Sequence, residues 1–327
     1  MCIRDRSKGL FLAFAGLGLF ACSNEDVNEG GINGDATVGV HISGVASRAG
    51  DTEPVDVETI TVTLSASTAE QNLSQTFTTI EEANSFKWTK VRNPRSITVS
   101  VNGGKDDSKS YTIEEVQKNN YAAPLYGTTS TYTTTSESDG TPLYTYSLTL
   151  TNSTIARVEF SEISHGADQH GTLGCYFSTI NWNGIFLNNI KESSNGVEQK
   201  YTSWNDAKLK SEITGSFLNW TSSTTYAWNV FPGTPTLTFS FKDITLVNNA
   251  SGDTFVNGNG YAAVTGYQTT DGTPITSFEA GKIYRITGIE IEDGYIGGTV
   301  EPTKPVNVQA VVTITAWDVV SGTVTWN

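Results

Sequence analysis

Val38-Gly39-Val40-His41-Ile42-Ser43 alternates aliphatic and small or polar residues with a period of two. Successive side chains on a β-strand point to opposite faces, so this stretch puts Val38, Val40 and Ile42 on one face and leaves the other to His41 and Ser43. It predicts a half-buried strand over Thr37 to Val45. The pattern recurs along the chain. Ile60, Val62 and Leu64 alternate with Thr61 and Thr63; Ile97, Val99 and Val101 have polar partners; so do Tyr146, Leu148 and Leu150. These runs are rich in β-branched and aromatic residues, as strands are.

Turn-forming dipeptides separate the runs. Gly103-Gly104, Asp139-Gly140 and Asp271-Gly272 are hairpin signals. Helical patterns are few: Ile113 to Asn119 and Ser203 to Ile213 are the candidates. Parallel α/β units need regularly spaced helices, which are missing here. The expected fold is therefore all-β: two antiparallel β-sandwich domains in tandem, of transthyretin-like or Greek-key type, with few short helices. A boundary is expected where strand-like Ile155 to Ile163 runs into the polar loop His165 to Thr172. This gives an N-terminal domain over 49–165 and a C-terminal domain over 166–327. Asp-Gly-Thr-Pro occurs at Asp139 and again at Asp271, a hint that the two are related.

Composition narrows the function. The 327 residues carry a formal charge of -14, so no clustered basic surface is expected and nucleic acid is excluded as a partner. Of the three cysteines, Cys2, Cys22 and Cys175, no two form a CxxC pair, which removes zinc and redox motifs. Cys175 reads as a buried small hydrophobe. No Gly-x-Ser-x-Gly elbow, His-Glu-x-x-His or P-loop is present, so no catalytic residue, enzyme activity or cofactor is expected. His165 and His170 flank Asp168, but in a loop without the i, i+4 register of a helical metal site, so no metal is assigned. Asp253 stands without a second carboxylate and reads as a turn rather than a calcium loop. Trp182, Trp204, Trp220 and Trp228 read as core rather than as a glycan platform.

The N-terminus reads as an address. Lys8 precedes an apolar run from Leu10 to Ala21, too short to span a bilayer but right for a signal segment over 1–21. It ends in Leu19-Phe20-Ala21-Cys22, which resembles the lipobox of bacterial lipoproteins. That resemblance implies cleavage before Cys22, acylation of its thiol, palmitate included, and anchoring in outer-membrane lipid. Each buried CH₂ of such chains contributes ~0.8 kcal/mol, and several chains make a lasting anchor. The plainer reading is an ordinary cleaved signal with a chance cysteine. Ser23-Asn24-Glu25-Asp26 resembles an acidic surface-export cue, and Asn24 to Asp35 reads as a tether.

Several segments resemble the fimbrillin family, the subunits of type V pili. They are Thr154-Ile155-Ala156-Arg157-Val158-Glu159-Phe160, Ile185 to Asn189, Tyr226 to Gly233, Phe278 to Ile286, and Val311 to Val320 with Trp317. Their order over nearly the whole chain carries the resemblance. It implies a cell-adhesion fimbrium built from neighbouring subunits. It also implies a lipoprotein precursor at the outer membrane, an Arg-specific protease, and strand exchange between subunits in the extracellular fimbrium.

The residues give this mechanism two ends. Arg48 lies in Ala46-Ser47-Arg48-Ala49-Gly50, a small-residue stretch directly after the first strand. A cut between Arg48 and Ala49 releases 22–48, tether and strand together. The plainer reading of Arg48 is a loop cation; Arg92, Arg95 and Arg157 are rival sites, but none lies just behind an N-terminal strand and Arg157 sits within a strand-like run. At the other end Val306, Val308, Ala310, Val312, Ile314 and Ala316 share one strand face, within a donor strand of about 306–320. Pro302 and Pro305 precede it and suit a hinge. Its four larger aliphatics carry about 6–12 kcal/mol of gross burial, an upper bound. The plainer reading is an edge strand of the C-terminal domain. Two other functions stay open: a surface lipoprotein that binds glycan or host protein without polymerising, and a tip or anchor subunit.

Overall fold

The computed structural model describes residues 36–43, 52–66, 73–106, 108–117, 121–150, 154–166, 173–269, 271–300 and 306–318. In chain order the first half gives β1 (Ala36–Ser43), β2 (Thr52–Pro54), β3 (Ile60–Ala66), β4 (Leu73–Phe77), the helix α1 (Ile80–Ser85), β5 (Lys87–Val91), β6 (Pro94–Val101), the helix α2 (Ile113–Gln117), β7 (Leu125–Thr129), β8 (Tyr132–Ser136) and β9 (Pro142–Thr149). The second half gives β10 (Ala156–Phe160), β11 (Ile163–His165), β12 (Cys175–Asn188), β13 (Ile190–Lys191), β14 (Glu198–Gln199), β15 (Lys210–Glu212), β16 (Thr221–Ser222), β17 (Tyr226–Val230), β18 (Thr236–Asn248), β19 (Thr254–Thr269), β20 (Pro274–Ile275), β21 (Lys282–Thr287), β22 (Ile289–Ile291) and β23 (Val306–Asp318). The fold is all-β, as the period-two runs predict.

The N-terminal half is built from two four-stranded sheets, β5-β1-β9-β8 and β4-β3-β6-β7. Their alternating residues bury inward. Ile60, Val62 and Leu64 of β3 and Ile97, Val99 and Val101 of β6 are all fully buried, while the intervening Thr and Ser stay wet. β1 supplies Val38, Val40 and Ile42 to the same core. The C-terminal half is dominated by one large sheet in the order β15-β12-β18-β19-β23-β21-β10-β17, with β2 added on β23 and β20 on β19. A smaller sheet, β16-β11-β22, accompanies it. Trp182, fully buried on β12, meets Phe217, Trp220 and Phe241 at ring-centroid distances of 5.2, 4.8 and 4.8 Å. Trp228 is buried, and Trp204 and Trp220 pack partly buried against the core, so the tryptophans are structural.

Most pairs are antiparallel, but the first strand of each half breaks the pattern in the same way. β1 pairs antiparallel with β5 and parallel with β9; β10 pairs antiparallel with β17 and parallel with β21. A parallel partner cannot be reached by a tight turn, so each first strand pairs with a strand late in its own half. The two Asp-Gly-Thr-Pro copies are also alike in structure. Each makes a hairpin turn with glycine φ of 85° and an Asp side chain accepting the N–H of the Thr two residues on, between β8 and β9 and between β19 and β20.

Three sequence expectations need correction. Residues 156–165 pair with C-terminal strands, so the break in backbone pairing falls between Leu150 and Ala156 and not at 165. The segment 203–213 is not helical: its end is β15, which pairs with Gly184, Ile185 and Phe186 on β12. Thr202 and Ser203 instead turn the chain through hydrogen bonds to Asp206. Finally, Cys175 is half-buried at the first residue of β12 rather than fully packed. The helix expected from Ile113 is α2, and a second, α1, was not legible as a period.

Candidate functional site

β1 is short, the first described strand, and an inner strand of its sheet. Ala36, Val38, Val40 and Ile42 are at most 1% exposed. Thr37 is buried as well, whereas His41 and Ser43 are half-buried. The parallel ladder to β9 runs without interruption from Thr37 opposite Leu143 to Ser43 opposite Thr149. The ladder to β5 is shorter. It covers Ala36, Val38 and Gly39, opposite Val91, Trp88 and Lys87, with a register shift between Ala36 and Val38. Burial of Val38, Val40 and Ile42 contributes roughly 5–9 kcal/mol in gross terms, an upper bound. That is on the scale of a whole domain's net stability.

Beyond Gly39 the neighbour of β1 is α1. This helix begins at Thr79, whose hydroxyl accepts the N–H of Glu82, while Glu82 reaches back to the N–H of Thr78 at 3.1 Å. These are the paired contacts of a capped N-terminus. Ile80, Ala83 and Asn84 face inward, and Asn84 is 0% exposed. Its side-chain Oδ1 accepts the N–H of Ile42 at 2.7 Å, and its Nδ2 donates to the Ile42 carbonyl at 3.3 Å.

The C-terminal strand is also an inner strand. β23 pairs antiparallel with β21 from Val311 opposite Thr287 to Ala316 opposite Lys282. It pairs parallel with β19 near its start and parallel with β2 at its end, where Thr52, Glu53 and Pro54 face Ala316, Trp317 and Asp318. Val306, Val308, Ala310, Val312, Ile314 and Ala316 thus all lie on one continuous strand docked in its own domain. β2, the first described strand to follow Arg48 in the sequence, thus runs beside the end of that strand. Cys22, Arg48 and Ala49 lie outside the described residues. Of the rival arginines, Arg157 is 4% exposed within β10, whereas Arg92 and Arg95 are exposed.

A buried charged cluster joins the two halves. Glu159 on β10 accepts from Arg157 Nε at 2.6 Å, from Arg285 Nε at 3.1 Å on neighbouring β21, and from the Tyr121 hydroxyl at 2.5 Å. Burial pushes the Glu159 carboxyl up. The hydrogen bonds from Tyr121 and Arg157, with the charges of Arg157 and Arg285, outweigh it and hold the group below the usual carboxylate range. The Arg157 guanidinium also sits 4.2 Å from the Tyr121 ring centre.

His165, the one described member of the His165/Asp168/His170 set, is held by protein partners. His165 Nε2 lies 2.8 Å from Asp293 Oδ1, and its Nδ1 accepts the backbone N–H of Asn219 at 3.1 Å. An accepting Nδ1 places the proton on Nε2, pointing at Asp293. His170 and Asp168 lie outside the described residues. Asp253 closes a turn: its carbonyl accepts the N–H of Asn248, and Ser251 donates to its carboxylate. Among the described residues no helix is long and apolar enough to cross a membrane.

No protein-family model and no curated protein matches the chain. Solved structures do. The chain is similar in fold to a fimbrilin. That protein is from Porphyromonas gingivalis, with 16% identity and a TM-score of 0.48 over 88% of this chain and 99% of that one. A candidate cell adhesion protein from Bacteroides eggerthii is similar at 13% identity and a TM-score of 0.49, over 87% of this chain and 97% of that one. Another from Parabacteroides distasonis is similar at 11% identity and 0.48, over 87% and 99%.

Proposed function

We propose that this chain is a structural, non-enzymatic subunit of a surface pilus. It is exported as a lipoprotein through Cys22, processed between Arg48 and Ala49, and polymerised by strand exchange. The observation that carries this reading is the setting of β1. It is the first described strand, it is buried between β5 and β9, and Arg48 falls in the short stretch between β1 and β2. A cut there detaches an inner strand without severing any other element of the sheet. The uncovered apolar face then needs a strand of matching period, and β23 carries one in its sequence. The ordered resemblance of the segments quoted above to fimbrillins supports the same reading.

One observation favours the runner-up, a surface lipoprotein that never polymerises: β23 is paired on both sides within its own domain. N-terminal sequencing and intact mass of protein taken from the cell surface separate the two. The pilus reading expects assembled material to begin at Ala49. Assembled material that retains acylated Cys22 overturns it.

A further inference from the structure

The contact between Asn84 and β1 is made to the backbone alone. Oδ1 takes the N–H of Ile42 and Nδ2 gives to its carbonyl, so the primary amide stands in for one residue of an antiparallel neighbour. The chain explains why. β5 starts at Lys87, opposite Gly39, and the residues just before it are coiled into α1. The ladder from β5 therefore stops short of Ile42, and Asn84 continues it. A side-chain amide that is 0% exposed keeps its bonding groups only while an extended strand lies against it. Once β1 departs, that amide is a built contact for one residue of whatever strand replaces it.

We propose that Asn84 fixes the register of the incoming strand, that this strand is β23 of a second copy of the chain, and that its Ile314 takes the place of Ile42. This rests on the strand-exchange reading. The register follows from side-chain volume. β1 fills its groove with Ala36, Val38, Val40 and Ile42, and the last of these lies at the amide. The apolar face of β23 reads Val306, Val308, Ala310, Val312, Ile314, Ala316, with a single isoleucine. Setting Ile314 at the position of Ile42 brings Val312 onto Val40, Ala310 onto Val38 and Val308 onto Ala36. The same set of side chains, one Ala, two Val and one Ile, then fills the groove. A shift of two residues one way puts Ala316 in the isoleucine position and leaves a cavity; the opposite shift puts Val312 there and fills it less well. Cores tolerate exchanges that conserve total volume and resist cavities.

The test uses the full chain cut by an Arg-specific protease and a labelled synthetic peptide of residues 304–320. N-methylating the Ile314 amide of the peptide removes the N–H that Asn84 accepts. It is expected to weaken binding about tenfold in the native protein and by less than about threefold in an Asn84→Leu variant, which keeps the shape of the side chain and lacks the amide. Asn84→Ser serves if that variant does not fold. Register is read separately, with Asn84 intact, in a Cys175→Ser, Leu148→Cys chain. Leu148 is the β9 partner of Ile42, so a peptide with cysteine at 314 is expected to form the disulfide in preference to peptides with cysteine at 312 or 316. Equal loss on N-methylation in both proteins overturns the role of Asn84. Preferential crosslinking at 312 or 316 overturns the register while leaving strand exchange in place. Failure of the unmodified peptide to bind the cut chain overturns strand exchange itself, and this inference with it.

Discussion

Gln117 of α2 and Asn229 of β17 hold each other through amide and backbone. The Asn229 N–H donates to Gln117 Oε1 at 3.1 Å, and Gln117 Nε2 donates to the Asn229 carbonyl. The Asn229 side chain, 1% exposed, donates in turn to the Val116 carbonyl at 2.8 Å and accepts from Arg157 at 3.4 Å. A five-residue helix of the first half is thereby tied to the outermost strand of the large C-terminal sheet. Asn229→Ala leaves the Val116 carbonyl and one Arg157 N–H without these partners. It is expected to cost about 1–3 kcal/mol. Urea unfolding followed by tryptophan fluorescence and by circular dichroism checks it: the midpoint falls, and the two probes separate as the halves uncouple.

Glu159 makes stability depend on pH. Its folded pKa lies below the usual range, so its contribution is fully present above the unfolded value, about 4.3, and is lost as pH falls through the folded one. Glu159→Gln is expected to lower stability at pH 7 by about 3–5 kcal/mol, because Arg157 is left buried without its carboxylate. The difference between variant and native chain should shrink on acidification below about pH 4. Thermal melts at a series of pH values measure it; a gap that stays constant down to pH 3 contradicts the assignment.

The contribution of β1 should be large before processing and absent after it. Ile42→Ala in the uncut chain is expected to cost about 2–5 kcal/mol, the usual range for emptying a buried aliphatic site. Half-buried Ser43→Ala should stay within about 1 kcal/mol. In assembled, processed material Ile42→Ala should have no effect on melting, because the residue is gone. Calorimetry on both forms decides the matter, and equal destabilisation in both shows that β1 stays in place.

The two ends of the chain make separable predictions. Arg48→Ala should leave a lipidated, unassembled precursor, and Arg48→Lys should do the same if the protease reads arginine. Truncation before Val306 should allow processing yet abolish ladders of assembled subunits. Immunoblots of surface fractions read both. Intact ladders from either variant count against the corresponding step.

The strands were legible because half-buried strands write their burial into the sequence. β3 shows Ile, Val and Leu, and β6 Ile and two Val, alternating with Thr and Ser, and their burial alternates in step. What the sequence conceals is partnership. Nothing local tells that residues 156–160 pair with β17 and β21 and so belong to the second half. The segment 203–213 has helix-like spacing, yet the open edge of β12 captures Lys210–Glu212 as a strand. α1 spans six residues, too few to show a period; its Thr79-x-x-Glu82 cap was the one usable signal. Asn84 carried none, since a buried amide that reads a backbone 42 residues away looks like any surface asparagine in sequence.

The parallel pairing of β1 with β9 has a further consequence. Because no hairpin connects β1 to either neighbour, a single peptide bond broken after it turns an internal part of the sheet into a separate molecule. Its retention ceases to be a matter of folding and becomes a binding equilibrium. While the connection lasts, β1 faces its groove at an effective concentration on the order of millimolar, above what a free competitor readily attains. After the cut that advantage dilutes away, and a strand brought by a crowded neighbour competes on equal terms. On the strand-exchange reading proposed above, proteolysis supplies no energy to assembly; it removes a kinetic and entropic privilege, and the direction of the process follows from which strand is locally more abundant.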